Sequence, residues 1–537
     1  MAEEHVKGIF LKVLIDTVNN RVIFAESDED FVDVLLSFLT MPLGTIIRLI
    51  RNKPPVVRIG CLNNLYESIE NLDLHRFRTE ACKTMLLYPR NAAAAQCKRL
   101  KLNIDDGEPL KYFVCKRPDC TLWEYRMLSH YRGAICGCGE DMDYEMGLCE
   151  KEPKGRGFDA RDRGVFVKGL TRLIISDKLK VMPASTETSL YVLSKLGIMD
   201  GNTIEECNRY ISEDEVLTLL KCSLVSKAPL TETLWKHNLE PKLGTNAFDQ
   251  GSCNESRMEE PASNVSEEIH EKHMIIGKSK TKVHYAETDD DFPEENYSLE
   301  EPASCFESIV NRGSSTSINL VISKSKNIVY YAEANEDFVD LLFSFLTVPL
   351  GYLVKETSGS TSKGCINHLY NSAEEALYLK SFEHKEMLLD PKLAHNFRHE
   401  NQLLDIDEVI NPQYYYAEHH ECANNKILTS DKTCIPSEGV FGSTLTVMDP
   451  KSEYDEATRG GFVMGSAKFN ITDNLIVTPI SPVSCLSFLK ECSVPFDDIE
   501  ERVVCVDNEE AFRLLVACFV SESALTDAFL RDPNPEY

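Results

Sequence analysis

The chain has 537 residues, with 57 Lys and Arg against 86 Asp and Glu and a formal net charge of −29. With 43% hydrophobic and 27% charged residues it has the make-up of folded domains, and its length calls for more than one ordinary core. So acidic a chain argues against generic binding to nucleic acid or to an anionic membrane surface.

The first elements are a hairpin, FLKVLIDT (10–17) and RVIFAES (21–27), with Asn19 and Asn20 supplying the turn. Ser27 or Asp28 can then cap a helix in which Phe31, Leu35, Phe38 and Leu39 recur at helical spacing. Val32, Val34 and Leu36 fill the remaining face, which predicts a buried helix ended by Pro42 and Gly44. The stretch 34–50 is the most apolar, but Pro42, Gly44 and Arg48 interrupt it and it is too short to span a bilayer. A second helix is predicted from Cys61 through Leu72, and after a mixed segment the patterns KYFVCK (111–116) and LWEYRML (122–128) read as strands. A strand–turn–strand over 170–182 turns at Asp177 and Lys178, and helices follow over 186–196, 214–225 and 230–235. Strands and helices are grouped and do not alternate strictly, which makes the expected class α+β.

The same elements occur twice. AESDEDFVDVLLSFLTMPLG at 25–44 returns as AEANEDFVDLLFSFLTVPLG at 332–351. GCLNNLY (60–66) returns as GCINHLY (364–370), MLLYP (85–89) as MLLDP (387–391), and RGVFVKG (163–169) as RGGFVMG (459–465). ISDKLKVMP (175–183) matches ITDNLIVTP (471–479), and LLKCSLVSKAPLT (219–231) matches LLVACFVSESALT (514–526). Colinear matches of this kind define a tandem duplication, with copy one at 5–239 and copy two at 313–537. The acidic segment 240–312 between them reads as a flexible linker. Within it, KSKTKVHYAETDDDF repeats the opening of copy two, and 274–292 reads as the hairpin remnant of a third copy. Charge is unevenly shared: 33 basic against 34 acidic residues over 1–239, but 17 against 35 over 313–537. Two surfaces so different predict different partners.

There are 19 cysteines, and the opening MAEEHVKG offers no apolar signal segment. Reduced thiols or metal ligands are therefore expected in preference to disulfides, in a cytoplasmic protein, with the nucleus left open. One group has metal-like spacing: Cys115-x4-Cys120, then Cys136-Gly-Cys138-Gly. Two short loops each bringing a pair of thiols is how a structural zinc ion is held, and His130 and Cys149 stand by as spare ligands. The alternative is four unrelated thiols packing as small hydrophobes. Copy two carries Ala417 where Cys115 would fall and Pro436 near the place of Cys138, and retains Cys422 and Cys434. It cannot build the same site.

Cys61 and Cys365 occupy matched positions, but a nucleophile needs a base, and His368 has only Asn64 opposite it in copy one. Both are better read as buried cysteines. The acidic run at 26–30 and its echo at 333–337 suit the positive end of a helix better than a metal. The sequence holds no phosphate-binding loop, dinucleotide fingerprint, zinc-protease helix or nucleophile elbow.

Taken together, the A-E-x-x-E-D-F-V-D-x-L-x-S-F-L-T-x-P-L-G block, G-C-x-N-x-L-Y, the cysteine block 115–139 and I-[ST]-D-x-L-x-V-x-P resemble a plant family catalogued as domain of unknown function 674. The resemblance implies a plant, cytosolic protein and brings no catalytic residue with it. The leading expectation is a non-enzymatic binding or scaffold module with protein partners, tied to neither nucleic acid nor membrane. One structural zinc is expected in copy one, on Cys115, Cys120, Cys136 and Cys138. The rivals are an enzyme with a cleft in copy one, which would show convergent perturbed groups, and a zinc- or redox-responsive sensor.

Overall fold

In the computed structural model the opening hairpin forms where alternation places it, Ile9–Asp16 against Arg21–Ser27, with Asn20 at φ +50° in its turn. Residues 8–150, 163–235, 316–357, 364–399, 402–419, 426–436, 440–452 and 460–531 are described. The proposed hairpin remnant at 274–292 lies outside them. A buried helix follows, Glu29–Ser37, continued by a tight turn Phe38–Thr40. The helical run breaks before Pro42, as expected, with Met41 extended, but Gly44 lies inside a new helix. Pro42 stands at the N-cap of a further helix, Leu43–Ile50, because its missing N–H costs nothing there.

Each copy builds a five-stranded antiparallel sheet of identical order. In copy one the strands run Ile204–Ile211, Ile9–Asp16, Arg21–Ser27, Leu173–Ser176 and Val181–Pro183. In copy two they run Ile499–Val506, Thr316–Ser323, Ile328–Asn335, Lys468–Thr472 and Val477–Pro479. With helices interspersed among antiparallel strands, the class is α+β. The outermost long strand, IEECNRYI in copy one, is not legible in the sequence because it is polar and largely exposed on both faces.

The copies do not form two separately tethered modules. Residues 1–240 and 313–537 make one compact unit, and a single hydrophobic core takes residues from both. The joints come in reciprocal pairs, the mark of a pseudo-two-fold axis. Leu43 N donates to Val348 O and Leu350 N to Met41 O, both at 2.9 Å. Cys61 N donates to Cys518 O at 2.8 Å, and Cys365 N to Ser223 O at 2.9 Å. Helix Leu62–Asn71 of copy one lies against copy two, where Val477 N donates to Ser68 Oγ. Helix Ile366–Glu374 of copy two repeats this against copy one, with Val181 N donating to Ser372 Oγ. Each copy thus lends a helix to its neighbour's sheet.

The repeated motifs become intelligible as joints. At Gly60 a Cβ would stand 2.2 Å from Cys518 O, and at Gly364 2.1 Å from Ser223 O, so the G-C motif is where the other copy's backbone approaches. The aspartate of D-F-V-D, Asp33, accepts from the amides of Val165, Phe166 and Val167, and Asp340 accepts from those of Phe462 and Val463. Asp177 accepts from Thr231 N and Oγ1, and Asp473 from Thr526 N and Oγ1, which latches I-[ST]-D to the closing S-x-x-x-L-T segment.

Candidate metal centre

Strand Tyr112–Val114 is pinned by paired bonds between Phe113 and Ser129 and delivers Cys115 inward. The expected strand over 122–128 forms only at its end, Met127–Leu128. Before it, Pro118 opens a short helix, Pro118–Leu122, with Asp119 in its first turn, and this helix carries Cys120. The second pair sits at the tip of a small hairpin, Ala134–Ile135 with Asp141–Met142. Cys136 N donates to Glu140 O and Gly139 N to Cys136 O, both at 2.8 Å, which closes a knuckle around Gly137 and Cys138. Gly139 takes φ +85° there, a conformation that only glycine adopts at no cost.

The four sulfur atoms converge within 4.8 Å of one another. Cys115 Sγ and Cys138 Sγ are 3.7 Å apart. A tetrahedron with Zn–S bonds of about 2.3 Å has edges of about 3.8 Å, whereas a disulfide needs about 2.05 Å. Cys115, Cys120 and Cys136 are buried and Cys138 is half-buried, packed among Phe113, Met142 and Met448 of copy two. Cys120 Sγ donates to Glu124 Oε2 at 3.2 Å, and Arg117 stands 3.9 Å from the same carboxylate.

Burial pushes the Cys120 thiol far above the ordinary range, helped by the neighbouring thiols and Glu124. Burial likewise takes Cys136 up to about 11. Cys138 goes the other way: against burial, the Glu140 amide and donation from the other three thiols bring it down to about 7. Cys138 therefore ionises more readily than Cys120 or Cys136, and a divalent cation bound there would favour the thiolate forms.

The two spare ligands do not join. His130 is buried edge-on to Tyr112 and Tyr414, with Nδ1 donating to the Lys111 carbonyl at 3.1 Å, while Cys149 is exposed. In copy two the matched chain is strand Tyr414–His419, with Ala417 fully buried in it. Pro436 and Cys434 lie in and beside a surface turn, and Cys422 falls outside the described residues. That strand belongs to a sheet ordered Lys426–Thr429, Tyr414–His419, Val440–Val447, and Met127–Leu128 of copy one completes it in parallel. The cysteine cluster thus packs against the strand that joins the two copies.

The other candidates are accounted for by the fold. Cys61 and Cys365 are buried, and desolvation pushes both thiols up to about 12, too high for a thiolate nucleophile. The Asn64/His368 difference preserves one task. Asn64 Nδ2 donates to Asn474 O and His368 Nδ1 to Lys178 O, each reaching the other copy's turn. In the acidic runs, Glu29 accepts from Leu170 N and Glu336 from Ser466 N, while Asp30 pairs with Lys101.

The family model described as "Protein of unknown function (DUF674)" matches residues 5–298 and again 294–509. The chain belongs to this family, in two tandem copies. No curated protein and no solved structure matches it. Among the described residues of this family member, no helix is long and apolar enough to cross a membrane.

Proposed function

We propose that the protein is a non-enzymatic scaffold with protein partners, and that its cysteine block holds one structural zinc ion that rigidifies the part of copy one whose strand pairs with copy two. The observation that carries the metal is the convergence of four thiols within 4.8 Å, with one edge at 3.7 Å. With thiolates at all four positions, zinc there cross-links chain and keeps no open place for substrate or water. Cys115 and Cys120 anchor it to the segment that carries Met127–Leu128, and Cys136 and Cys138 close it from the knuckle. Arg117, beside Glu124, offsets part of the negative charge that four thiolates bring.

The scaffold reading is supported by what the repeated motifs do. Their glycines, aspartates and Cys61/Cys365 are spent on joints between and within the copies. The surfaces around that shared frame differ in charge, which suits distinct partners on a single body.

Metal content of the full chain, purified under reducing and chelator-free conditions, tests the centre against a Cys136→Ser/Cys138→Ser variant. One zinc per chain in the parent and none in the variant is expected, with a lower melting temperature on metal removal. A metal-free parent would leave the four cysteines as packing residues.

A further inference from the structure

We infer that copy two carries a binding groove for a small organic carboxylate with an apolar body, anchored by Arg398. The inference does not depend on the zinc centre. The groove has a volume of about 550 Å³ and lies between the turn 395–398, the segment 407–413 and the end of strand Val440–Val447. That is the size range of small-molecule sites.

The groove holds one arginine and two carboxylates that have contacts of their own. The two carboxylates in its wall are engaged: Asp407 lies 3.7 Å from Lys392 Nζ, and Glu408 Oε1 accepts from Phe397 N at 2.9 Å. Arg398 lines the groove beside His395 and has no carboxylate within ion-pair distance among the described residues. A planar guanidinium in a concave wall is suited to bidentate capture of a carboxylate. The lining also has an apolar share, from Val409, Pro412, Leu445 and Val447, and it includes Ile410, which is 94% exposed. Bare phosphate would leave that share unused, whereas a carboxylate with an aryl or alkyl body would cover it.

The cationic wall is held in place. Asn396, between His395 and Arg398, adopts φ +68° and donates from Nδ2 to Met448 O at 2.9 Å. Its carbonyl accepts from Lys451 Nζ, a fully buried ammonium paired with Asp449 at 2.9 Å. A buried ion pair thus fixes the turn that presents Arg398, and little is lost to ordering when a ligand arrives. Copy one does not share the groove's chemistry. At the register set by MLLYP and MLLDP, Ala93 and Gln96 replace His395 and Arg398, and Glu108 replaces Ile410.

Calorimetric titration of the full chain with benzoate, and separately with inorganic phosphate, tests the assignment beside Arg398→Gln and Ile410→Asp variants. Saturable one-to-one benzoate binding is expected, with phosphate weaker and each variant weakened at least about tenfold. Ile410 is almost wholly exposed, so its variant keeps the test alive should Arg398→Gln fold poorly. Absence of saturable benzoate binding, unchanged affinity in folded variants, or phosphate binding as tightly as benzoate would each overturn it.

Discussion

Asp340→Asn should leave stability near pH 4 almost unchanged while removing most of its decline toward alkaline pH. Asp340 is 4% exposed, and its Oδ1 accepts from the Phe462 and Val463 amides at 2.9 Å each. Burial pushes its carboxyl from 3.8 up to about 8, with the two amides and Arg78 pulling the other way. The folded state therefore keeps a proton that the unfolded chain gives up at lower pH. Its contribution is complete below about pH 4 and is lost as pH rises through about 8, and a shift of that size corresponds to on the order of 6 kcal/mol. Asp33 is the internal comparison. With a third amide donor and the Lys380 charge nearby it reaches only about 6, so its loss is on the order of 3 kcal/mol and is over at lower pH. Asparagine retains an oxygen for both amides and cannot ionise. Urea midpoints measured by circular dichroism from about pH 5 to about pH 9 would separate parent, Asp340→Asn and Asp33→Asn. A parent midpoint that stays flat across that range, with Asp340→Asn destabilised throughout, would refute the reasoning and mark the amide pair as a site for an ionised carboxylate.

Gly364→Ala would place a methyl 2.1 Å from the Ser223 carbonyl and should cost about 3 kcal/mol, whereas Gly147→Ala, with nothing within 4 Å, should be nearly neutral in the same melts. Lys451→Met leaves the Asp449 carboxylate without its partner and should cost about 3–5 kcal/mol, while the Lys451→Met/Asp449→Leu pair should cost clearly less than the sum of its singles. Residues 1–239 and 313–537 made separately should be poorly soluble, because each exposes the surface that the other copy's helix covers in the whole chain. Made together they should co-purify as a pair, and independent folding of either half would refute the exchange of helices.

The duplication, the hairpins and the buried helix could be read from the sequence because each rests on local pattern: alternation, helical spacing, turn chemistry. The cysteine block was legible for a similar reason, since thiols are few and their spacing carries geometry. Its off-pattern x4 spacing is resolved by the short Pro118–Leu122 helix, which turns Cys120 back toward Cys115. The merger of the copies was not legible. Gly60 and Gly364 look like ordinary turn glycines until the carbonyls opposite them are known, and those belong to residues far along the chain. The helix starting at Pro42 was hidden because Pro and Gly also end helices, and only the Leu43–Val348 bond across the axis shows which role applies. The groove on copy two has no motif at all, being assembled from a turn, a loop and a strand end that the sequence keeps apart.

The lending of helices also sets a timetable for synthesis. Val181 bonds to Ser372, 191 residues later, and Cys61 Sγ donates to the Ser521 carbonyl, 460 residues later. At ribosomal rates of about 5–20 residues per second, the helix Leu62–Asn71 waits roughly 20–90 s after emergence for its final resting place. Throughout that interval the nascent first half presents an open apolar seam to the cell. Chaperone demand should therefore track the translation of the second half, and a premature stop there would strand an otherwise complete first copy in its most adhesive state.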